Sequence, residues 1–136
     1  MIALDSSALI KRYQREEHSD WIRATMDDDG DWCGSMLLAT ESAVASARNS
    51  AASDELSKVD LRMRADLDHF QLVPVDGDCL VRAIEIGRAH RLRTLDAIHL
   101  AAAARLPAEC RFVTFDERQA EAAAEIGLDL LAPDQS

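Results

Sequence analysis

Aromatic side chains, proline and glycine are all scarce in this chain. Its 136 residues include 4% aromatics, three prolines and five glycines. A sandwich built only of strands needs many short strands joined by turns rich in glycine and proline. Hydrophobic residues nevertheless reach 48% and include frequent alanine runs. This balance favours a helix-rich protein with a small aliphatic sheet, and the length suits one domain with its own core.

Positive charge is also in short supply. The chain has 15 basic and 25 acidic residues, which gives a formal net charge of −10. A protein that merely coats nucleic acid is expected to be basic. The charge therefore argues against simple binding to a phosphate backbone, but it is compatible with an enzyme that holds its substrate through bound cations.

The three cysteines, Cys33, Cys79 and Cys110, are far apart and form no CxxC pair. Their spacing argues against structural zinc and suits a reducing cytoplasm. The segment 1–5 has no basic region and the chain has no long apolar run, so we expect neither a secretory signal nor a membrane span. The absence of GxxxxGK[ST] and HExxH motifs excludes nucleotide hydrolysis by a P-loop and zinc proteolysis.

Short apolar segments alternate with helical patterns along the chain. Strands are predicted at 1–5, 31–36, 71–75, 110–115 and 128–131, and helices at 6–14, 18–28, 37–47, 53–70, 78–91, 94–106 and 117–127. Ser6 or Ser7 is predicted to cap the first helix and Thr94 the sixth, and Pro74 places its strand at a sheet edge or a strand end. The alternation predicts an α/β fold with a parallel sheet covered on both faces. We expect a single domain over 1–132 and a C-terminal tail at 133–136.

Four acidic residues follow predicted strands or begin predicted helices. Because ligands bind outside the carboxyl ends of parallel strands, these carboxylates are expected to share one cleft. Unit charges about 4 Å apart repel by roughly 4 kcal/mol at an effective dielectric near 20. A hard cation such as Mg²⁺ or Mn²⁺ relieves that repulsion and favours oxygen ligands, and phosphodiester hydrolysis by metal-activated water follows naturally. The four acids are Asp5, Glu41, Asp96 and Asp116.

Each acid also has a purely structural interpretation. Asp116 and Gln119 have the spacing of a capping box, and Asp96 could serve only the dipole of its helix. Glu41 could be an ordinary solvated helix residue. Asp5 ends a strand directly before two serines, where a charge has little structural purpose.

Four segments together resemble the PIN-domain ribonucleases, and most closely the VapC-type toxins of toxin–antitoxin pairs. They are LDSSALIKRY, ESAVASA, LRTLDAIHLAAA and VTFDERQAEAAAEIGL, in that order along the chain. The likeness extends from Met1 to about Leu131. It implies a PIN-like three-layer α/β/α sandwich with a short parallel sheet, an endoribonuclease activity on RNA, a homodimer, and a small antitoxin protein that occludes the site.

The resemblance also implies roles for individual residues. Asp5, Asp96 and Asp116 correspond to acids that hold Mg²⁺ or Mn²⁺, and Glu41 completes the catalytic set. Asp116 matches the most variable of these positions in the family. Ser7 and Thr114 match hydroxyl residues that line the same site.

Two basic stretches could supply contacts to RNA phosphates. Lys11, Arg12 and Arg15 follow Asp5, while Arg91 and Arg93 lie in the stretch just before Asp96. A solvated helix face is the alternative interpretation of both stretches. His99, one turn after Asp96, is interpreted as a packing or supporting residue, because metal-bound water needs no separate histidine as a base.

Two other functions remain open at this point. One is a catalytically silent PIN-fold module that only binds a partner. The other is a receiver-type phosphoacceptor signalling domain, which is also α/β, acidic and Mg²⁺-binding. A receiver needs an acidic pair after its first strand and a lysine late in the chain, whereas Asp5 precedes two serines and the lysines are Lys11 and Lys58.

Overall fold

The computed structural model describes residues 1–49 and 52–134, in which seven helices surround a five-stranded sheet. The strands are β1 (Ile2–Leu4), β2 (Trp32–Ser35), β3 (Gln71–Val73), β4 (Arg111–Val113) and β5 (Asp129–Leu130). The helices are α1 (Ser6–Tyr13), α2 (Ser19–Asp28), α3 (Leu38–Asn49), α4 (Ser53–Leu67), α5 (Gly77–His90), α6 (Thr94–Ala103) and α7 (Glu117–Glu125). Every predicted element is present, with shifted ends. Of the predicted tail, residues 135–136 lie outside the described residues.

The sheet is entirely parallel and has the strand order β3-β2-β1-β4-β5. The chain moves outward from β1 to β3 and then crosses to β4 on the other side of β1. β1 and β4 therefore flank the switch point, where open α/β sheets bind ligands. β3 is an edge strand, as Pro74 indicated. The receiver fold has the order 2-1-3-4-5, so this topology excludes the receiver interpretation.

Helices cover both faces of the sheet, because successive side chains of a strand point to opposite sides. Ile2 and Leu4 of β1 pack with Leu9 of α1 and Met26 of α2 in one core. Ala3, between them, packs in a second core with residues of α5, α6 and α7. This arrangement confirms the three-layer α/β/α sandwich. No helix within 1–49 and 52–134 has both the length and the apolar character that crossing a membrane requires.

Two predicted helix caps are wrong. Asp5, and neither Ser6 nor Ser7, is the N-cap of α1, and its carboxylate accepts a hydrogen bond from the Ala8 N–H at 3.0 Å. The turn from β1 into α1 is so short that the helix already begins at Ser6. Similarly, Thr94 is the first residue of α6, and Arg93 precedes it without a side-chain cap.

Candidate active site

Asp5 lies at the carboxyl end of β1 and is only 3% exposed. Its Oδ1 accepts hydrogen bonds from the Ser7 hydroxyl at 2.7 Å and from the Ala8 N–H. Its Oδ2 accepts one from the Thr114 hydroxyl at 2.7 Å. Burial raises the pKa of Asp5, although these hydrogen bonds favour the charged form. The structure therefore brings Ser7 and Thr114 into direct contact with Asp5.

Thr114 connects Asp5 to α7. Its single hydroxyl hydrogen has two acceptors within reach, Asp5 Oδ2 and Gln119 Oε1, the latter at 2.8 Å. Its Oγ1 also accepts from the Asp116 N–H at 3.1 Å. The fully buried Gln119 donates through Nε2 to the main-chain oxygen of Asp96 at 3.1 Å. Thr114 and Gln119 thus join the end of β4 to the starts of α6 and α7.

Asp116 caps α7, since its Oδ1 accepts from the Gln119 N–H at 2.9 Å. A capping box has two reciprocal hydrogen bonds, and only this first one is present. The Gln119 side chain is engaged with Thr114 and Asp96 and does not reach back to the Asp116 N–H. In the described part of the chain, no protein group donates to the other oxygen, Oδ2 of Asp116, so capping leaves that oxygen available.

Glu41 is held by two side chains on different helices. Its Oε1 accepts a hydrogen bond from the Ser6 hydroxyl, and its Oε2 lies 2.7 Å from Nε2 of His99. Burial would raise the pKa of Glu41, but the bonds from His99 and Ser6 outweigh it and the pKa is lowered. Glu41 is therefore not an ordinary solvated helix residue. His99 is 2% exposed and supports Glu41, as the sequence interpretation proposed.

The pKa of Asp96 is affected by all three of the other acids. Burial raises its pKa, and the negative charges of Asp116, Glu41 and Asp5 raise it further. Within residues 1–49 and 52–134, no protein donor bonds to its carboxylate. Glu41, Asp96 and Asp116 also line one cleft of about 520 Å³. The four predicted acids therefore lie in one neighbourhood at the switch point of the sheet.

The four acids fit a hard divalent cation by donor chemistry and by location. They are not gathered into a finished coordination shell, because no three His, Cys, Asp or Glu side chains in 1–49 and 52–134 are close enough to hold one ion. Asp5 directs both of its oxygens to hydroxyl and N–H donors. Among the described residues, the carboxylate oxygens of Asp96 and Oδ2 of Asp116 have no protein donor, so these are the oxygens available to an ion.

The two basic stretches differ in their surroundings. All three cations of the first stretch have acidic partners on the protein: Lys11 has Glu16, Arg12 has Asp27 and Asp66, and Arg15 has Asp20. Arg91 and Arg93 are exposed and line a second cleft together with Asp96 and Asp116. Neither arginine has an ion-pair partner among the described residues.

Ser6 and the side chain of Gln119 are site residues that sequence reasoning missed. Ser6 was considered only as a helix cap, and nothing local indicated that it would donate to Glu41, 35 positions away. Gln119 carried the spacing signal of a capping box, but its side chain binds Thr114 and Asp96 instead.

Comparison with known proteins gives consistent matches over nearly the whole chain. The family model described as PIN domain matches residues 2–125. Ribonuclease VapC46 of Mycobacterium tuberculosis is 35% identical over 133 residues, which cover 97% of each protein. Ribonuclease VapC35 of the same species is 33% identical over 142 residues, which cover 100% of this chain and 99% of that protein.

Two solved structures share the fold. FitAcB from Neisseria gonorrhoeae matches with a TM-score of 0.75 and 17% identity, covering 97% of each chain. A toxin–antitoxin complex from Klebsiella pneumoniae matches with a TM-score of 0.69 and 16% identity, covering 100% of each chain. Because the identities are this low, these two structures show only that the arrangement of helices and strands is shared.

Proposed function

The chain belongs to the PIN-domain family, and we propose that it is a Mg²⁺- or Mn²⁺-dependent endoribonuclease, the toxin of a toxin–antitoxin pair. The observation that carries the proposal is the convergence of Asp5, Glu41, Asp96 and Asp116 at the switch point of the sheet. Its relatives VapC46 and VapC35 are named ribonucleases, which supports the same reaction class.

In this proposal, Asp5, Asp96 and Asp116 hold the cation. A bound divalent ion lowers the pKa of a water molecule and stabilises negative charge on the phosphoryl oxygens. The hydroxyls of Ser7 and Thr114 fix the Asp5 carboxylate, so its direction is set before substrate arrives. Because cations compete with protons for carboxylates, the raised pKa values of Asp5 and Asp96 predict weaker cation binding in acid.

Glu41 has a different role from the other three acids. Its lowered pKa keeps it ionised at neutral pH, and Ser6 and His99 hold it beside the cleft. It completes the acidic pocket and can orient a water molecule by accepting its hydrogen bond. In-line attack by that water on a phosphodiester would leave a 5′-phosphate and a 3′-hydroxyl.

We further propose RNA as substrate, a homodimer, and a small antitoxin protein that covers the acidic cleft. The antitoxin is supported by the fold shared with a structure described as a toxin–antitoxin complex. The three cysteines are buried and free, which favours the reducing cytoplasm as the compartment of action.

The test is cleavage of structured RNA by the purified chain without its antitoxin. We expect cleavage in Mn²⁺ or Mg²⁺ with 5′-phosphate products, and none in EDTA. The Asp5→Asn variant should lose cleavage, whereas Arg82→Gln, an exposed change on α5, should keep it. Full cleavage in EDTA, or an unaffected Asp5→Asn variant, would overturn the proposal. A folded protein that is inactive with both metals but binds an antitoxin would favour the silent-module alternative.

A further inference from the structure

Two clefts share the pair formed by Asp96 and Asp116, and each extends to residues that the other does not include. The first, which we call the α3 cleft, has a volume of about 520 Å³ and includes Val44, Arg48 and Leu95 in its lining. The second, the α7 cleft, has a volume of about 540 Å³. Its lining includes Arg91, Phe115 and Arg118. Arg93, Asp96 and Asp116 line both clefts, so the two meet at the proposed reaction centre.

Four arginines in the lining of these clefts have no acidic partner among the described residues, in a chain with 25 acidic and 15 basic residues. They are Arg48, Arg91, Arg93 and Arg118. All four are exposed, and none has an acidic group within 4.0 Å in the described ranges 1–49 and 52–134. What sets them apart from the other unpaired cations is their position in clefts that Asp96 and Asp116 also line. Guanidinium groups without internal partners keep all their donors for a ligand, and their planar fork suits phosphate.

The two clefts differ in chemistry. Val44 and Leu95 are 55% and 45% exposed, so the α3 cleft offers an apolar wall beside the charge of Arg48. Exposed apolar surface next to a cation suits a nucleotide, whose base has an apolar face and whose phosphate is charged. The α7 cleft instead has three arginines beside Asp96, Asp116 and Glu117, and its arginines suit phosphodiester groups.

We propose that the clefts are nucleotide subsites on the two sides of the scissile phosphate of an RNA strand. Arg93 positions that phosphate above Asp96 and Asp116. Arg48, Val44 and Leu95 bind the nucleotide on one side of it. Arg91 and Arg118 bind the phosphodiester backbone on the other side. This inference rests on the proposed ribonuclease function and adds which residues hold the substrate.

The same geometry explains how an acidic protein can bind RNA. The first basic stretch is neutralised by Glu16, Asp20, Asp27 and Asp66. The cleft arginines have no ion-pair partner among the described residues, and the Coulomb attraction between exposed charges extends over a Debye length of about 8 Å at physiological salt. Because distant charges are screened, local contacts from these arginines can attract RNA even though the whole chain is acidic.

The test combines side-chain removal with substrate shortening. The substrates are a short RNA cut at one site and two versions shortened on either side of that site. Arg48→Gln and Arg118→Gln should each lower kcat/KM about fivefold to tenfold on the full RNA, mainly through KM. The Arg48→Gln effect should vanish with one shortened RNA, and the Arg118→Gln effect with the other. The Arg93→Gln effect should persist with both.

RNA binding provides an independent readout. Fluorescence anisotropy of a labelled RNA in EDTA requires no cleavage, and each of the three substitutions should reduce the salt dependence of log K by about 0.7. Arg82→Gln, whose cation pairs with Glu85 at 3.1 Å on the exposed side of α5, is the matched control and should change neither assay.

Three outcomes overturn the inference. The first would be that the cleft substitutions have no effect on an RNA that the wild type cuts, which would favour a protein partner as the occupant of the clefts. The second would be that the effects of Arg48→Gln and Arg118→Gln vanish with the same shortened RNA. The third would be that Arg15→Gln weakens RNA binding more than Arg93→Gln does, which would place the RNA along α1. If the wild type cuts no RNA in Mn²⁺, the proposed function fails and the assignment to two sides of a scissile phosphate fails with it, whereas normal cleavage with unchanged anisotropy in the cleft variants overturns the inference alone.

Discussion

Nε2 of His99 lies 2.7 Å from Oε2 of Glu41, so a buried ring on α6 holds a carboxylate on α3. The two helices pack in different cores, since Leu38 of α3 belongs to one and Leu100 of α6 to the other. The pair therefore joins the two helical layers at the edge of the sheet where the acids meet. The position and the lowered pKa of Glu41 therefore depend on the hydrogen bond to His99.

Replacing His99 tests that dependence. His99→Ala leaves Oε2 of Glu41 without its donor and should lower the free energy of unfolding by about 1–3 kcal/mol at pH 7. Because the pKa of Glu41 is lower in the folded protein than its ordinary 4.5, its contribution to stability is present above that value and lost as pH falls through the folded pKa. The difference in unfolding free energy between His99→Ala and the wild type should therefore narrow as the pH falls below 4.5.

Urea unfolding at several pH values measures this difference. His99→Gln, which keeps an N–H donor at a similar reach, is the conservative control and should retain more of both stability and RNA cleavage. A His99→Ala deficit that stays constant from neutral pH to acid would contradict the coupling to Glu41.

Removing the charge of Asp5 should separate activity from stability. Asp5→Asn is expected to lower RNA cleavage at least about 100-fold, because a neutral amide oxygen is a weak ligand for a hard cation. Its free energy of unfolding at pH 7 should stay equal or rise. Burial raises the pKa of Asp5, so ionisation of this group costs stability above its ordinary value of 3.8.

The matched variant for this experiment is Asp5→Ala. It also removes the charge, but it loses the cap on the Ala8 N–H and should cost about 1 kcal/mol. Thermal and urea unfolding of both variants distinguish the two effects. Equal destabilisation by asparagine and alanine would show that the carboxylate charge itself stabilises the fold.

Asp96 should report cation binding through thermal unfolding. Mn²⁺ is expected to raise the Tm of the wild type at pH 7, by an amount that corresponds to about 2.7 kcal/mol at 100 times Kd. Asp96→Asn should show a much smaller rise, since this carboxylate has no protein donor within the described ranges and remains free to bind an ion. Without added metal its Tm should equal or exceed that of the wild type, because repulsion from Asp116, Glu41 and Asp5 is removed.

Asp60→Asn, an exposed change on α4, serves as the control and should respond to Mn²⁺ as the wild type does. The experiment needs no RNA, so it tests metal binding apart from catalysis. An undiminished Mn²⁺ response in Asp96→Asn would remove Asp96 from the metal site.

Gly34 determines how closely α3 approaches the sheet. A Cβ at this position would lie 2.8 Å from Cδ2 of Leu38 and 3.3 Å from the main-chain oxygen of Leu4. Gly34→Ala should therefore lower the free energy of unfolding by about 1–3 kcal/mol. It should also reduce RNA cleavage by the folded protein, because Leu38 begins the helix that carries Glu41.

Gly77→Ala is the matched substitution, since a Cβ there meets no atom within 4 Å. It should leave stability unchanged or raise it by up to about 1 kcal/mol. Urea unfolding together with RNA cleavage at a temperature where each variant is folded provides the comparison. Equal stability of the two alanine variants would show that the contact at Gly34 is not limiting.

Local pattern was sufficient to predict the elements and the layered fold. Apolar runs and helical periodicity depend only on neighbouring residues, so all five strands and seven helices were predicted within the described residues. The ends were less predictable. The helix expected over 94–106 ends at Ala103, although Pro107 permits three more residues, because the main-chain N–H groups of Arg105 and Leu106 bond three residues back in a tighter turn.

The sequence by itself determined which residues carry charge and which segments end strands, and hence that four acids would meet at one edge. Only the tertiary structure decided what each acid contacts. Asp5 meets a hydroxyl 109 positions away in Thr114, and Glu41 meets a ring 58 positions away in His99. It also decided which cations have an acidic partner on the protein, since Arg12 meets Asp66 while Arg93 meets no acid among the described residues. Such partners depend on how distant segments pack, and the periodicity of a single helix or strand carries no information about them.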